Sequence, residues 1–149
     1  AEIAANALGT LGFTDRRTVG TAVGRASAIK MIRSVMVKGI EALSAECVLA
    51  ANTAGVLDEV LSSLDASEKA RPWRARADYT LDRMMIHGLR RAAEMEEAVK
   101  TLDGLGTGSA MTRATVERQR AVGVLGIGDP APGLTDKLLQ LSDGKARAA

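Results

Sequence analysis

One long, almost wholly apolar helix is the feature that most constrains how this chain can fold. The sequence between Gly24 and Asn52, GRASAIKMIRSVMVKGIEALSAECVLAAN, has polar side chains along one line and aliphatic side chains elsewhere. Residues three or four positions apart share one face of a helix. A helix that is apolar on most sides is normally buried, so we expect other elements to pack around it. The polar line consists of Ser27, Lys30, Ser34, Lys38 and Glu41.

The composition favours packing of helices against helices. The 149 residues are 46% hydrophobic and 26% charged, which is typical of one globular domain. Only 2% are aromatic, so the core must be aliphatic. A net charge of +2 and the scarcity of aromatic side chains argue against nucleic-acid binding. No apolar run reaches the length that a membrane span needs, so we expect no membrane partner.

The single cysteine, Cys47, lies on the apolar helix and has no second cysteine with which to form a disulfide. We expect it to be a buried free thiol, which fits a reducing compartment and a cytoplasmic location. With one cysteine and one histidine in the chain, a zinc site built from protein ligands is not expected. We therefore predict no metal site.

The hydrophobic pattern predicts a mainly α fold, a multi-helix domain with one long central helix. The chain begins AEIAANAL, without Met and already in a helical pattern, so we expect it to be a piece of a longer protein. Glycine just past a helix end and proline in a first turn mark the boundaries of several helices. The predicted helices cover 2–11, 24–55, 56–64, 73–102 with a bend at Gly88, 110–124 and 134–141, with a short strand at 13–19 and a frayed tail at 143–149.

The first candidate site is formed by Ser27, Lys30 and Ser34, which share one helix face. An unpaired buried ammonium is costly, so Lys30 on an apolar helix must neighbour polar groups, a cleft or a ligand. In the functional interpretation Lys30 is a general acid or a carboxylate anchor, and the hydroxyls orient a small polar ligand. In the structural interpretation the line is a polar seam, and Lys30 extends its ammonium to water.

The second candidate site is the segment RMMIHGLRRAAEM, in which cationic side chains and the only histidine share one helix face. Arginine forms bidentate bonds to carboxylate or phosphate, so the segment can hold an acidic substrate. Alternatively it is a solvated face with ion pairs between residues four apart, such as Arg90 with Glu94. The residues concerned are Arg83, His87, Arg90, Arg91 and Glu94.

A third segment, VGVLGIGDPA, imitates a dinucleotide-binding pattern through Gly126, Gly128 and Ala131. That mechanism needs a helix to begin directly after the glycines. Pro130 and Pro132 follow instead. We therefore reject this segment as a nucleotide-binding loop.

Two segments carry a resemblance to a known family. GRASAIKMIRSVMVKGIEAL and, downstream, LDRMMIHGLRRAAEMEEAVKTLDGLG resemble the C-terminal helical domain of phosphogluconate-dehydrogenase-like oxidoreductases. These belong to the β-hydroxyacid dehydrogenase superfamily and are related to 3-hydroxyisobutyrate dehydrogenase. The resemblance implies that residues 1–22 are the last helix and strand of a truncated Rossmann domain. Residues 23–142 would then form the helical substrate and dimerisation domain, and 143–149 a disordered tail.

The superfamily motif has two glycines, a catalytic lysine and, one turn later, an asparagine. Gly24 and Lys30 match the first glycine and the lysine, whereas Ala26 and Ser34 replace the second glycine and the asparagine. The later Lys-Asp motif is also missing, and the segment from Arg90 to Ala92 takes its place. These departures imply a different acidic substrate.

The resemblance implies hydride transfer between NAD or NADP and a small hydroxyacid, in a homodimer paired through the helical domain. Lys30 would exchange the hydroxyl proton, while Ser27, Ser34, His87, Arg90 and Arg91 would bind the substrate. The cofactor-binding residues would lie in the absent nucleotide domain, so we expect the fragment alone to bind no cofactor and to be inactive. Two rival hypotheses stay open, namely a non-catalytic helical dimerisation or scaffold domain and a carboxylate-binding module.

Overall fold

A computed structural model describes the backbone of residues 2–148 and the side chains of these residues except 145, 147 and 148, and the described chain consists of helices and their connections. It forms two compact units, residues 1–42 and 43–149. The predicted domain boundaries at 22 and 142 rest on the family resemblance and stay predictions. The helices are α1 (Glu2–Thr10), α2 (Arg25–Ala54), α3 (Leu57–Ser67), α4 (Trp73–Leu105), α5 (Ala110–Gly123) and α6 (Leu134–Ala148).

The mainly α prediction is confirmed, and glycines end the two longest helices as expected. Gly55 follows α2 with a φ of 71°, and Gly106 caps α4 with a φ of 70°. Both lie in the left-handed region that favours glycine. Helix α4 continues through Gly104 and ends at Leu105, three residues past its predicted end at 102. The last helix extends past its predicted end at Leu141 to Ala148, while the predicted disorder of 143–149 stays a prediction.

In the first unit, the predicted strand at 13–19 is wrong. These residues lie outside regular secondary structure, and no strand occurs between residues 2 and 148. A strand needs a neighbour to receive its backbone hydrogen bonds, and the described chain offers none. Instead, the Arg16 guanidinium donates a hydrogen bond of 2.6 Å to the carbonyl of Ala5 in α1.

In the second unit, the core lies where α4 packs against α5 and α6. It is aliphatic, as the composition predicted, and it has two buried clusters. One contains Met85, Val122 and Leu141, and the other contains Ala92, Val99 and Val116.

Gly88 and Gly123 bring α4 and α5 into close contact. A Cβ atom on Gly88 would lie 2.6 Å from the Gln119 carbonyl oxygen and 2.9 Å from Gly123 Cα. A Cβ atom on Gly123 would lie 2.5 Å from the Leu89 nitrogen. Helix α4 continues through Gly88 without interruption, and the predicted bend at this residue stays a prediction. The glycine is needed there for the approach of the second backbone.

Among the described residues, no helix is both long enough and apolar enough to cross a membrane.

Candidate functional site

The polar line of the first unit extends from Ser27 to Glu41 along α2. Ser27 and Lys30 are exposed, and Ser34 is half-buried. The Ser34 hydroxyl donates a hydrogen bond of 2.9 Å to the carbonyl oxygen of Lys30, one turn earlier. Since its hydrogen is used within the helix, Ser34 presents only acceptor lone pairs to a ligand.

The burial expected for this helix does not occur within the described chain. Only Ala50 and Ala51 of α2 are buried, and both belong to the second unit. Ile32 and Val35, next to the polar line, are 71% and 75% exposed. Periodicity shows which residues could form a buried face, but burial also requires a partner surface. The cleft predicted around Lys30 therefore stays a prediction.

Cationic side chains and the only histidine lie together on α4, as their spacing predicted. We call this set the α4 cationic face, and its members are Arg83, His87, Arg90, Arg91 and Glu94. Arg90 forms the predicted ion pair with Glu94. Both partners are exposed, so this pair adds little to stability.

Two guanidinium groups of this face have no counter-charge among the described residues. Arg83 and Arg91 are half-buried, and the Nε–H group of each is buried without a hydrogen-bond acceptor. On the adjacent helix α5, the Oε1 atom of Gln119 is buried without a donor. Buried polar atoms are nearly always paired, so the unpaired Nε–H groups of Arg83 and Arg91 indicate that water or a ligand completes this face.

The electrostatics of His87 reflect this excess of positive charge. Partial withdrawal from water lowers the pKa of His87, and repulsion from Arg83, Arg90 and Arg91 lowers it further. Glu94 acts in the opposite direction but does not cancel these effects. The imidazole is therefore neutral at neutral pH and can either donate or accept a hydrogen bond.

A groove of about 470 Å³ runs beside the α4 cationic face. Its walls are the α4 segment from Met85 to Arg90, Gly123 at the end of α5, and the loop from Gly126 to Gly128. The second unit thus brings His87 and Arg90 next to the glycine-rich loop. Sequence spacing did not reveal this proximity, because it arises from the crossing of α4 and α5.

The glycine-rich loop does not fit a dinucleotide. It follows helix α5 rather than a strand, and the next helix begins only at Leu134. A pyrophosphate site requires glycines that lead directly into a helix N-terminus. The rejection of this loop as a nucleotide site therefore agrees with its geometry. Nor does any group of three His, Cys, Asp or Glu side chains within the described part of the chain suit a metal ion.

Sequence reasoning missed Glu46, which caps a remote helix. Its Oε2 atom accepts a hydrogen bond of 2.8 Å from the Met111 N–H, and its Oε1 atom accepts bonds from the Thr112 N–H at 2.8 Å and hydroxyl at 2.5 Å. Partial burial raises the pKa of Glu46, but these hydrogen bonds lower it more, so the net pKa is lowered. A carboxylate at a helix N-terminus is favourable, yet the separation along the chain hid this partner.

Sequence reasoning also missed Lys137, the one buried lysine among the side chains that the structure describes. Lys137 of α6 is 3% exposed, and its Nζ atom lies 2.7 Å from Asp78 Oδ1 and 2.9 Å from Asp82 Oδ1. The two carboxylates are four residues apart on α4, a spacing that is visible in the sequence. The hydrogen bond to Asp78 raises the pKa of Lys137, and withdrawal of the ammonium from water only partly opposes this.

Comparisons with known proteins found one domain family and one solved structure that are similar to this chain. Residues 51–122 match the domain of unknown function DUF1932. That domain is known as the C-terminal helical domain of NAD(P)-binding proteins like 3-hydroxyisobutyrate dehydrogenase. A solved structure of a conserved hypothetical protein from Sinorhizobium meliloti 1021 is 36% identical over 96% of this chain and 48% of that one, with a TM-score of 0.43. This chain thus spans about half the length of that protein. No curated protein matches.

Proposed function

We propose that this chain is the C-terminal helical domain of an NAD(P)-dependent dehydrogenase that oxidises or reduces a small hydroxyacid. The match of residues 51–122 to DUF1932 is the observation that carries the proposal. The motif of Gly24 and Lys30 lies upstream of the matched segment, where the resemblance to β-hydroxyacid dehydrogenases puts the catalytic lysine.

In this proposal Lys30 acts as general acid or base on the substrate hydroxyl. Its ammonium is exposed on the polar line of α2 and is accessible to a small ligand. Ser27 and Ser34 flank it on the same face, and the acceptor lone pairs of Ser34 can receive the substrate hydroxyl. The catalytic work of this chain is then proton exchange at one oxygen atom of the substrate.

The acid group of the substrate binds to His87, Arg90 and Arg91. A guanidinium provides paired N–H groups for a carboxylate, and a neutral imidazole can donate one further hydrogen bond.

The nicotinamide cofactor supplies or accepts the hydride when it is bound. The glycine-rich loop of this chain does not fit a dinucleotide. In this proposal, the residues that bind the cofactor therefore belong to other parts of the protein. The chain alone is thus expected to bind NADPH weakly and to show no turnover, which calorimetry can test. Two subunits pair through the exposed apolar faces of α2. The protein that contains this chain is located in the cytoplasm.

An activity screen over hydroxyacids, with NAD and with NADP, tests the proposal on the longer protein that contains this chain. Lys30→Ala should lower kcat by about 10²–10⁴-fold, the usual range for a general acid or base. Lys69→Ala, which changes an exposed lysine outside both candidate sites, should leave kcat unchanged. Unaltered turnover in Lys30→Ala would refute the role of this lysine.

A non-catalytic dimerisation domain is the second candidate function. The exposed apolar side chains along α2 favour it, because large exposed apolar surfaces mark interaction sites. In that case the protein would dimerise through α2 but show no turnover with any hydroxyacid. The upstream coding sequence separates the two candidates further, since a dehydrogenase requires a glycine-rich βαβ unit there.

A further inference from the structure

The α4 cationic face holds more positive charge than the described chain neutralises. Its three guanidinium groups belong to Arg83, Arg90 and Arg91, and Glu94 is its one carboxylate. Glu94 pairs with Arg90. The other two guanidinium groups form no ion pair with any described residue, and each has a buried Nε–H group without an acceptor. Two positive charges therefore stay without a counter-charge.

These two groups can reach a common ligand. Arg83 and Arg91 are eight residues apart with His87 midway, so their Cα atoms are about 12 Å apart along one face. Arginine side chains are long enough to converge on a ligand above His87 from both sides.

We propose that the α4 cationic face binds a ligand with two negative charges, a dicarboxylate or a phosphate monoester, held between Arg83 and Arg91 above His87. A single carboxylate would satisfy one guanidinium and leave the other without a partner. The inference depends on the proposed function in one respect, namely that the bound ligand is the substrate. It also shifts the main binding role from Arg90, which Glu94 already neutralises, to Arg83.

Binding of small anions to the full chain tests this inference by NMR. His87 is the only histidine of the sequence, so its imidazole gives one distinct signal. Inorganic phosphate, malonate and acetate are titrated at slightly alkaline pH and matched ionic strength. Phosphate or malonate should shift the His87 signal saturably, since a bound anion raises the pKa of the imidazole. Acetate should bind at least about tenfold more weakly. Tighter binding of phosphate would indicate a phosphate monoester as the ligand, and tighter binding of malonate would indicate a dicarboxylate.

Substitutions of Arg83 and Arg91 test whether these two residues bind the dianion that shifts the His87 signal. Arg83→Gln and Arg91→Gln should each weaken dianion binding by about tenfold, as expected for loss of one charge-assisted contact. Lys100→Gln is the matched control, since it removes a cation from the same helix about 20 Å from His87 and should leave binding unchanged. Circular dichroism of each variant verifies the fold, and Arg91→Lys, which keeps the charge, should recover part of the affinity.

Equal responses to acetate and to the dianions would overturn the inference, and so would unchanged binding in both arginine variants. These outcomes differ from failure of the proposed function. Dianion binding by a protein without dehydrogenase activity would support the inference alone. Turnover that depends on Lys30 but requires only a monocarboxylic acid would support the function and contradict the inference.

Discussion

The first half of α2 is apolar but exposed, whereas the middle of α4 is rich in charged residues but contributes to the buried core. On α2, Ile32 and Val35 are mostly exposed, although their helix is the more apolar of the two. On α4, which has many charged residues, Ala92 is only 1% exposed. The difference is that α4 has a partner of matching shape, because Gly88 and Gly123 let the α5 backbone approach closely. Apolar side chains supply the driving force for burial, but a complementary surface decides where it occurs.

Two lysines show the same contrast for charge. Lys30, on the apolar helix, is exposed, whereas Lys137, on a mixed helix, is buried. Lys137 is buried because Asp78 and Asp82 lie within 3 Å of its ammonium. A buried charge depends on its partners across helices, not on the apolarity of its own helix.

The largest stability effect is expected at the α4–α5 crossing. Gly123→Ala should lower the free energy of unfolding by about 1–3 kcal/mol, because the new Cβ would lie 2.5 Å from the Leu89 nitrogen. Gly104→Ala is the matched control, since a Cβ atom there would meet nothing within 4 Å apart from its neighbours in the same helix. It should instead gain up to about 1 kcal/mol from helix propensity. Urea unfolding of the full chain measures both changes, and equal losses at the two positions would contradict the close crossing.

A smaller effect is expected where Glu46 caps α5. Glu46→Gln should cost about 1 kcal/mol at neutral pH, since it removes a capping charge. Glu41→Gln, at an exposed position on the same helix, should cost almost nothing.

The cap also makes a pH-dependent contribution to stability. The pKa of Glu46 is lowered from 4.5, so the folded state favours the charged carboxylate. This stabilisation is present above 4.5 and is lost as the pH falls through the lowered folded value. The stability difference between the parent chain and Glu46→Gln should therefore shrink in acid. A difference that stays constant down to low pH would show that the carboxylate charge does not contribute.

The smallest effect is expected on the exposed side of α2. Ile32→Ser should change the free energy of unfolding of the monomer by less than about 0.5 kcal/mol. Val116→Ala, in the buried cluster of the second unit, should cost about 1–3 kcal/mol. Analytical ultracentrifugation of Ile32→Ser then tests the proposed pairing of subunits, because a polar residue in that interface should weaken the dimer. A large, concentration-independent cost at Ile32 would show that another part of the chain covers α2.

Local signals in the sequence predicted the helices well. Apolar periodicity, glycine at helix ends and Pro72 before α4 marked most boundaries within a few residues. The shared face of His87, Arg90 and Arg91 was also predictable, because it depends only on the pitch of one helix. The strand at 13–19 was not a sound prediction, since a strand exists only through its neighbour.

These local signals could not predict the contacts between helices. The cap by Glu46 and the pair of Asp82 with Lys137 join residues more than fifty positions apart. The spacing of Asp78 and Asp82 along α4 was visible in the sequence, but Lys137, the residue of α6 that faces them, was not. The same holds for the groove between His87 and Gly126, which depends on the crossing of two helices.

The sequence by itself determined which segments are helical and which side chains share a face, because both follow from the geometry of a single helix. Only the tertiary structure decided which faces are buried and which charges are paired. Close packing depends on the shapes of two surfaces together, and a pattern within one segment contains only one of them.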